Sequence, residues 1–188
     1  MLSKSEKIEI IKTGLILFLI TAVSAGLLAV VNAKTAPIIK ENELIKEQSA
    51  MKLVLPDASG FDEENLANDE MDKTITAVYK SKNNVGYVVM ASPLGYGGAV
   101  SLAIGVSEDG KVCGVNVISN SETAGLGAKC TDEEWLSQFV GKSDGISVSK
   151  GNAKDNQINA ISSATITSKA VTSGVNSAIA AAKLAKEE

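Results

Sequence analysis

The chain has 188 residues, a formal net charge of −4 and no histidine. This length suits one domain of ordinary size together with a short membrane anchor. The lack of histidine excludes Ser-His and Cys-His nucleophile pairs and the usual zinc ligand sets. The acidic balance, without a stripe of basic side chains, argues against a nucleic-acid-binding surface. Redox chemistry would therefore depend on a bound cofactor.

An apolar segment near the N-terminus, Thr13–Val31, contains no charged residue and no proline. As a helix it would reach roughly 28 Å, close to the hydrocarbon thickness of about 30 Å. Three lysines precede it: Lys4, Lys7 and Lys12. By the positive-inside rule, we predict a single-pass protein of the cell (inner) membrane. Its cytoplasmic tail would cover 1–12, its transmembrane helix 13–32, and the rest would be extracytoplasmic.

A cleaved signal peptide is an alternative interpretation of this segment, because Val31-Asn32-Ala33 resembles a small-x-small cleavage site. The apolar run is longer than the usual apolar core of a signal peptide, so we favour a permanent anchor. A buried core helix is a third interpretation, but that suits shorter apolar runs.

The next segment, 33–72, is predicted to connect the anchor to a folded domain. Pro37 suits the first turn of a helix, and Ile38–Leu55 is predicted to form one. A Pro-Asp-Ala-Ser-Gly run ends this helix, and the acidic stretch up to Asp72 has no clear helix or strand pattern. We interpret that stretch as a solvated loop. The remaining residues, 73–188, are predicted to form one α+β domain.

Two antiparallel hairpins are predicted at the start of this domain. Thr74–Lys80 and Val85–Ser92 are rich in β-branched and aromatic residues and are separated by a turn-like cluster. Ala99–Ser107 and Lys111–Ser119 flank Glu108-Asp109-Gly110, which is a strong hairpin signal. The glycines between the two hairpins indicate a sharp turn or a close approach of the backbone to a ligand.

A short helix, two short strands and a long C-terminal helix are predicted to follow. Thr131 begins a capping-box pattern, which indicates a short helix that continues to Val140. The two strands are predicted near Ile146–Val148 and Gln157–Ile161. The last helix is predicted over Ser168–Lys186, where apolar residues recur at helical spacing and indicate packing on the sheet.

The two cysteines, Cys113 and Cys130, are too few to hold an iron–sulfur cluster and do not form a CxxC pair. A disulfide between them is one interpretation, if the domain is exported to an oxidising compartment. We favour the other interpretation, two small apolar side chains in the interior.

Small residues and hydroxyls are concentrated in Asn159–Ser168, directly ahead of the predicted last helix. A helix N-terminus offers unpaired N–H groups and the positive end of a dipole, so it suits a phosphate. Hydroxyls there can donate hydrogen bonds to a phosphate or carry one covalently. The alternative is ordinary helix capping, which the residue types alone favour.

The segment resembles the flavin-attachment motif of the RnfG and NqrC family of redox-complex proteins, Asp-x-x-Ser/Thr-Gly-Ala-Thr. The last threonine of the motif, which carries FMN in a phosphoester bond, corresponds to Thr165. Ser162 stands at the Ser/Thr position. Asn159 stands where aspartate is usual, and Ser163 stands where glycine is usual. The resemblance therefore implies FMN attached covalently to Thr165.

Two upstream loops extend the resemblance. Ser121–Gly127 is similar to the family's Glu-Thr-Pro-Gly-Leu-Gly loop, and Gly95–Gly98 is similar to a Gly-Tyr-Gly-Gly turn typical of RnfG. In the family these regions lie near the flavin. The cofactor-binding residues that the resemblance implies are Ser162, Ser163, Ala164, Thr165, Thr167 and Lys169 for the phosphate end, and Tyr96, Gly97, Glu122, Thr123, Gly125, Leu126 and Gly127 for the ring.

The resemblance also implies a function and partners. An RnfG-type protein is an electron-transfer subunit of a membrane-bound complex that couples electron flow between ferredoxin and NAD to Na⁺ or H⁺ translocation. Its partners would be the other membrane subunits, and it would not be an enzyme on its own. No general base adjoins Thr165 in the sequence, so a separate flavin transferase is expected to attach the FMN.

Two alternatives from other functional classes remain open from the residues. One is a membrane-anchored extracytoplasmic binding or structural module without redox activity, in which the serines only cap a helix. The other is a stand-alone covalent flavoprotein reductase. Direct binding of NADH is not expected in any of these, because the chain has no Gly-x-Gly-x-x-Gly fingerprint after a strand.

Overall fold

The computed structural model describes residues 4–64 and 71–187. Its helices and strands, in chain order, are α1 (Lys4–Val54), β1 (Phe61–Glu64), β2 (Ile75–Ser81), β3 (Gly86–Ala91), β4 (Ser101–Ser107), β5 (Val112–Ser119), α2 (Glu133–Leu136), β6 (Ser147–Ser149), β7 (Gln157–Asn159) and α3 (Thr165–Glu187). The chain divides into two compact units, residues 1–45 and 46–188.

The first unit is helical throughout its described part. Within the described residues, one helix is long and apolar enough to cross a membrane by length and composition, over Ile8–Val54. Its large apolar side chains up to Ile45 are exposed. The helix does not restart at Pro37, which lies inside α1. Good helix formers lie on both sides of this proline, so the loss of one backbone hydrogen bond does not end the helix.

The second unit is built on a five-stranded antiparallel sheet in which sequential strands are neighbours, in the order β1-β2-β3-β4-β5. The predicted α+β class with antiparallel hairpins and a C-terminal helix is confirmed. The strand ends differ from the predicted ones by one or two residues. Such short antiparallel connections follow from the tight turns that the sequence provides.

One strand has no clear signal in the sequence pattern. The acidic stretch interpreted above as a solvated loop contains β1, which pairs with β2 from Phe61 opposite Ser81 to Glu64 opposite Val78. Phe61 packs with the core on one face of the sheet, while Asp62 forms a surface ion pair with Lys82 at 3.3 Å. Pairing and one buried aromatic therefore outweigh low strand propensity, and the exposed charges suit an edge strand.

Both faces of the sheet are covered. Helix α3 packs on one face, and the last turn of α1, which belongs to the second unit, packs on the other. Every residue of β3 is buried, as expected for a central strand with two covered faces. Gly105 and Gly114 are paired across β4 and β5, and a Cβ on Gly105 would overlap the carbonyl oxygen of Val54. The glycine pair therefore lets the helix end approach the sheet closely.

The predicted capping box at Thr131 is wrong. Helix α2 begins at Glu133 after Asp132, and Asp132 makes no side-chain capping bond. The Thr131 hydroxyl instead donates to the carbonyl oxygen of Ala128 at 3.0 Å, within a 3₁₀ turn that precedes α2. The hydroxyl has a closer acceptor in that turn, so it is not available as a cap.

The start of the last helix also differs from the prediction. Helix α3 begins at Thr165 rather than near Ser168. The Ser168 hydroxyl accepts a hydrogen bond from the Ile161 N–H at 2.9 Å and donates one to the Ala164 carbonyl at 3.0 Å. Ser168 therefore closes the first helical turn from inside, and Thr165 already belongs to the helix.

The two cysteines are free thiols. Cys130 is buried and Cys113 is half-buried, which agrees better with the interpretation as small interior side chains than with a disulfide. Burial raises the pKa of the Cys130 thiol to about 11, so this thiol stays protonated at neutral pH.

Candidate functional site

The turn that leads into α3 has a conformation that favours glycine. The Ala164 N–H donates to the Ile161 carbonyl oxygen at 3.0 Å, which closes a four-residue turn. Ser163, the third residue of that turn, has a φ of 61°. Positive φ at this position is characteristic of a type II turn and is normally supplied by glycine. The resembling motif has glycine at this position, and the backbone gives the physical reason.

The first turn of α3 presents backbone donors and a hydroxyl. Among the described residues, no acceptor pairs with the N–H groups of Thr165, Ile166 and Thr167. The Thr165 side chain is half-buried, and its hydroxyl makes no hydrogen bond within the described part of the chain. Unpaired N–H groups and the helix dipole make this turn suitable for an anion.

Glu122 joins this turn to the loop between β3 and β4. Its Oε1 accepts hydrogen bonds from the backbone N–H of Tyr96 at 2.8 Å and of Gly97 at 3.1 Å. Its Oε2 accepts the hydroxyl of Thr167 at 2.7 Å. Hydrogen bonds to a carboxylate are shorter and stronger than those between neutral groups. One side chain therefore connects all three segments that the sequence singled out.

The glycines around Glu122 make room for it. A Cβ added to Gly95 or to Gly127 would overlap a carboxylate oxygen of Glu122, and one on Gly97 would overlap the carbonyl oxygen of Ser121. Gly125 has a φ of 76° in the same loop, a conformation that costs glycine little. The two glycine clusters thus serve close packing of the loops and one left-handed turn.

An open cavity of about 460 Å³ lies where these segments meet. Its size is within the range of small-ligand and cofactor sites, about 300–1,000 Å³. Three apolar side chains on its wall are exposed: Tyr96 is 73% exposed, Ile166 55% and Leu126 44%. The complete lining is Tyr96, Glu122, Thr123, Leu126, Gly127, Ser163, Ala164, Thr165, Ile166 and Thr167.

This arrangement fits FMN. The unpaired N–H groups at the start of α3 and the hydroxyls of Ser163 and Thr165 suit a phosphate. The apolar walls suit a flat ring system, and the volume is sufficient for one cofactor. Buried Thr167 differs from Thr165, because its hydroxyl hydrogen is already donated to Glu122.

Comparison with known proteins places the whole chain in one family. Residues 1–54 match the RnfG N-terminal region, and residues 95–180 match the FMN-binding domain. The corresponding protein of the Na(+)-translocating ferredoxin:NAD(+) oxidoreductase complex of Acetobacterium woodii is 42% identical, and the similarity covers 93% of this chain and 94% of that protein. The chain belongs to the RnfG family of ion-translocating oxidoreductase complexes.

Two further proteins illustrate the range of similarity of this RnfG-family chain. The corresponding protein of the proton-translocating ferredoxin:NAD(+) oxidoreductase complex of Clostridium ljungdahlii is 35% identical over 84% of this chain and 83% of that one. The crystal structure of Shewanella oneidensis NqrC is 22% identical, with a TM-score of 0.47, over 68% of this chain and 66% of that chain. The resemblance to the RnfG family that the motifs indicated is thus confirmed by the family match.

The structure brings together most of the predicted site residues of this RnfG-family chain. Those that line the cavity are Tyr96, Glu122, Thr123, Leu126, Gly127, Ser163, Ala164, Thr165 and Thr167. Those outside its lining are Gly97, Gly125, Ser162 and Lys169. All the lining residues lie within the segment that matches the FMN-binding domain.

Ile166 lines the cavity but is not among the predicted site residues. With the helix start placed near Ser168, Ile166 would belong to a loop, and its direction could not be judged. A start at Thr165 makes Ile166 the second helical residue, exposed on the surface. An exposed isoleucine between two threonines at a helix start is the sequence signal that could have identified it.

Proposed function

We propose that this chain is an electron-transfer subunit of an Rnf-type membrane complex and carries FMN on Thr165. The proposal extends the match to the FMN-binding domain and the names of relatives, which are subunits of ferredoxin:NAD(+) oxidoreductase complexes. Bound FMN supplies one- and two-electron transfer. Other membrane subunits of the same complex are the partners in this proposal, with Na⁺ or H⁺ as the coupling ion.

One observation carries the choice of attachment residue. Thr165 has a half-buried hydroxyl in the cavity, beside unpaired backbone N–H groups, and that hydroxyl is not engaged by any described residue. Thr167 is only 1% exposed and donates to Glu122. A hydroxyl that must form a new bond has to be both reachable and free of competing acceptors, and this favours Thr165.

The attachment step requires a second protein in this proposal. The Thr165 oxygen bonds to the flavin-side phosphorus of FAD, the bond to the AMP phosphate breaks, and the hydroxyl proton leaves to a base. A threonine hydroxyl is a weak nucleophile without such a base. The chain has no histidine, and Glu122 already accepts three hydrogen bonds. A flavin transferase would therefore supply both the base and FAD.

We also propose a topology for the anchor. Residues 13–32 cross the cell membrane once, residues 1–12 remain in the cytoplasm, and residues 73–188, with the FMN, lie on the extracytoplasmic side. The support is the apolar helix near the N-terminus and the lysines that precede its apolar part. A phosphate-tethered flavin on such a domain suits electron relay between proteins of one complex.

The test is intact-mass and peptide mass spectrometry of the full chain co-expressed with a flavin transferase. We expect the wild-type chain to gain the mass of FMN less one water, located on the peptide that contains Thr165. Thr165→Ala should lack this adduct, whereas Thr165→Ser, which keeps a hydroxyl, should retain it in part. An adduct that survives in Thr165→Ala contradicts the assignment. Wild-type protein without any flavin absorbance would favour a non-redox binding module.

A further inference from the structure

Glu122 is distinctive among the cavity residues because of its charge. Of the described side chains that line the cavity, it alone is ionisable with a negative charge, and none of the others carries a formal positive charge. The glycines on either side leave space for its carboxylate and for nothing larger. Because such packing forbids larger neighbours, the position of the carboxylate is closely defined.

The carboxylate also connects elements that are distant in the sequence. Its two oxygens receive donors from the loop after β3 and from the first turn of α3, at 2.7 to 3.1 Å. In the described part of the chain, the N–H groups of Tyr96 and Gly97 have no other acceptor. Their alignment, and so the position of the Tyr96 wall relative to α3, depends on this one side chain.

We propose that Glu122 is a positioning residue that sets the spacing of the two cavity walls and, through its charge, lowers the reduction potential of the bound cofactor. Reduction adds electrons to the cofactor, and a fixed negative charge in the same cavity opposes that addition. Charge near a flavin is a principal way in which proteins tune it. The part that concerns the potential rests on the proposed function. The part that concerns the cavity walls does not.

Three substitutions separate length from charge. Glu122→Gln keeps an oxygen for the Tyr96 and Gly97 N–H groups, and its amide can donate to the Thr167 oxygen. Glu122→Asp keeps the charge but is one methylene shorter, so it cannot reach both walls. Glu134→Gln removes an exposed carboxylate elsewhere and is the control for net charge.

The first measurement is amide hydrogen exchange of the full-length, detergent-solubilised chain without cofactor. Exchange at Tyr96 and Gly97 should be roughly tenfold faster or more in Glu122→Asp, because each N–H loses a charged acceptor. It should stay close to wild type in Glu122→Gln and Glu134→Gln. Unchanged exchange in Glu122→Asp would overturn the positioning role, whether or not the chain binds FMN.

The second measurement is the midpoint potential of the flavin-loaded chain by spectroscopic titration. Glu122→Gln should raise the potential relative to wild type, and Glu134→Gln should leave it unchanged. A potential in Glu122→Gln equal to that of wild type would overturn the role of the charge. A wild-type chain that takes up no flavin would contradict the proposed function instead, while the exchange result would still stand.

Discussion

Ser163 occupies a backbone conformation that most residues avoid. At a φ of 61°, a side chain brings its Cβ close to backbone oxygens, which costs roughly 1–2 kcal/mol relative to the right-handed region. The side chain is exposed and lines the cavity. The hydroxyl can therefore donate to a phosphate, in partial return for the strain that a glycine would not have.

We predict opposite effects for two substitutions at this position. Ser163→Gly should raise the free energy of unfolding by about 1 kcal/mol, because the strain is removed, and should leave flavin loading equal or higher. Ser163→Val should lower both, since a branched side chain tolerates positive φ poorly. Denaturant titration and flavin absorbance measure the two quantities. Full loading of Ser163→Val would mean that position 163 does not line the phosphate site.

Asn159 departs from the attachment motif without disturbing the structure. Its Oδ1 accepts the N–H of Ala153 at 3.0 Å, and an aspartate oxygen could accept the same donor. Its backbone is held by Gln138, which accepts its N–H, and by Trp135, which donates to its carbonyl oxygen. The position therefore anchors the loop after β6 and does not line the cavity.

At the scale of elements, the closest helix–sheet approach is at the paired glycines of β4 and β5. Val54, in the last turn of α1, lies against both Gly105 and Gly114. The central strands elsewhere carry apolar side chains that would keep a helix farther away. Small residues at this one point let the backbone of the helix end contact the backbone of the sheet.

We predict that Gly105→Ala destabilises the second unit by about 1–3 kcal/mol. The added methyl would overlap the backbone of Val54, which is an overpacking cost that backbone atoms cannot relieve easily. The control is Gly151→Ala, where an added Cβ has open space and the stability should change little. Denaturant unfolding of the two variants gives the difference. Equal stabilities would show that α1 ends elsewhere in the native protein.

The sequence predicted those elements whose local signals agree with their tertiary role. The β4–β5 hairpin was found because alternating apolar residues flank a turn whose glycine has a φ of 77°. Strand β1 was missed because three of its four residues are acidic, and only its pairing with β2 makes it a strand. The start of α3 was misplaced because serine is a preferred capping residue, whereas the Ser168 hydroxyl is used within the first turn.

The site was predicted in part for the same reason. The motifs identified the segments that meet, because glycines and hydroxyls at these spacings have few other uses. They did not show that Glu122 bonds to the protein on three sides, since such contacts join residues far apart in the chain. Nor did they show which way Ile166 faces, because that depends on the first residue of the helix.

At the scale of the molecule, the two matched regions divide along the chain. The RnfG N-terminal region covers residues 1–54 and the FMN-binding domain covers residues 95–180. The first contains the apolar helix, and the second contains all the cavity residues. An electron relay in a membrane complex needs both, since the anchor restricts the cofactor domain to the membrane surface and so raises its effective concentration near its partners.

The topology predicts which introduced cysteines a membrane-impermeant thiol reagent can reach. Lys150→Cys, at an exposed position after β6, should be labelled in intact cells once any outer membrane is permeabilised. Ser3→Cys, in the N-terminal tail, should be labelled only after lysis of the inner membrane. The unmodified chain is the background control, because Cys130 is buried and Cys113 half-buried.

The reverse pattern, in which Ser3→Cys is labelled in intact cells and Lys150→Cys only after lysis, would invert the orientation. Intact mass of the same samples tests the signal-peptide alternative, since a permanent anchor keeps residues 1–32 on the purified chain. The lysines before the apolar segment are the physical cause of the expected result, because they hold that end on the cytoplasmic side during insertion. Replacing Lys4, Lys7 and Lys12 together by glutamine should therefore produce a fraction of chains in which Ser3→Cys is labelled in intact cells.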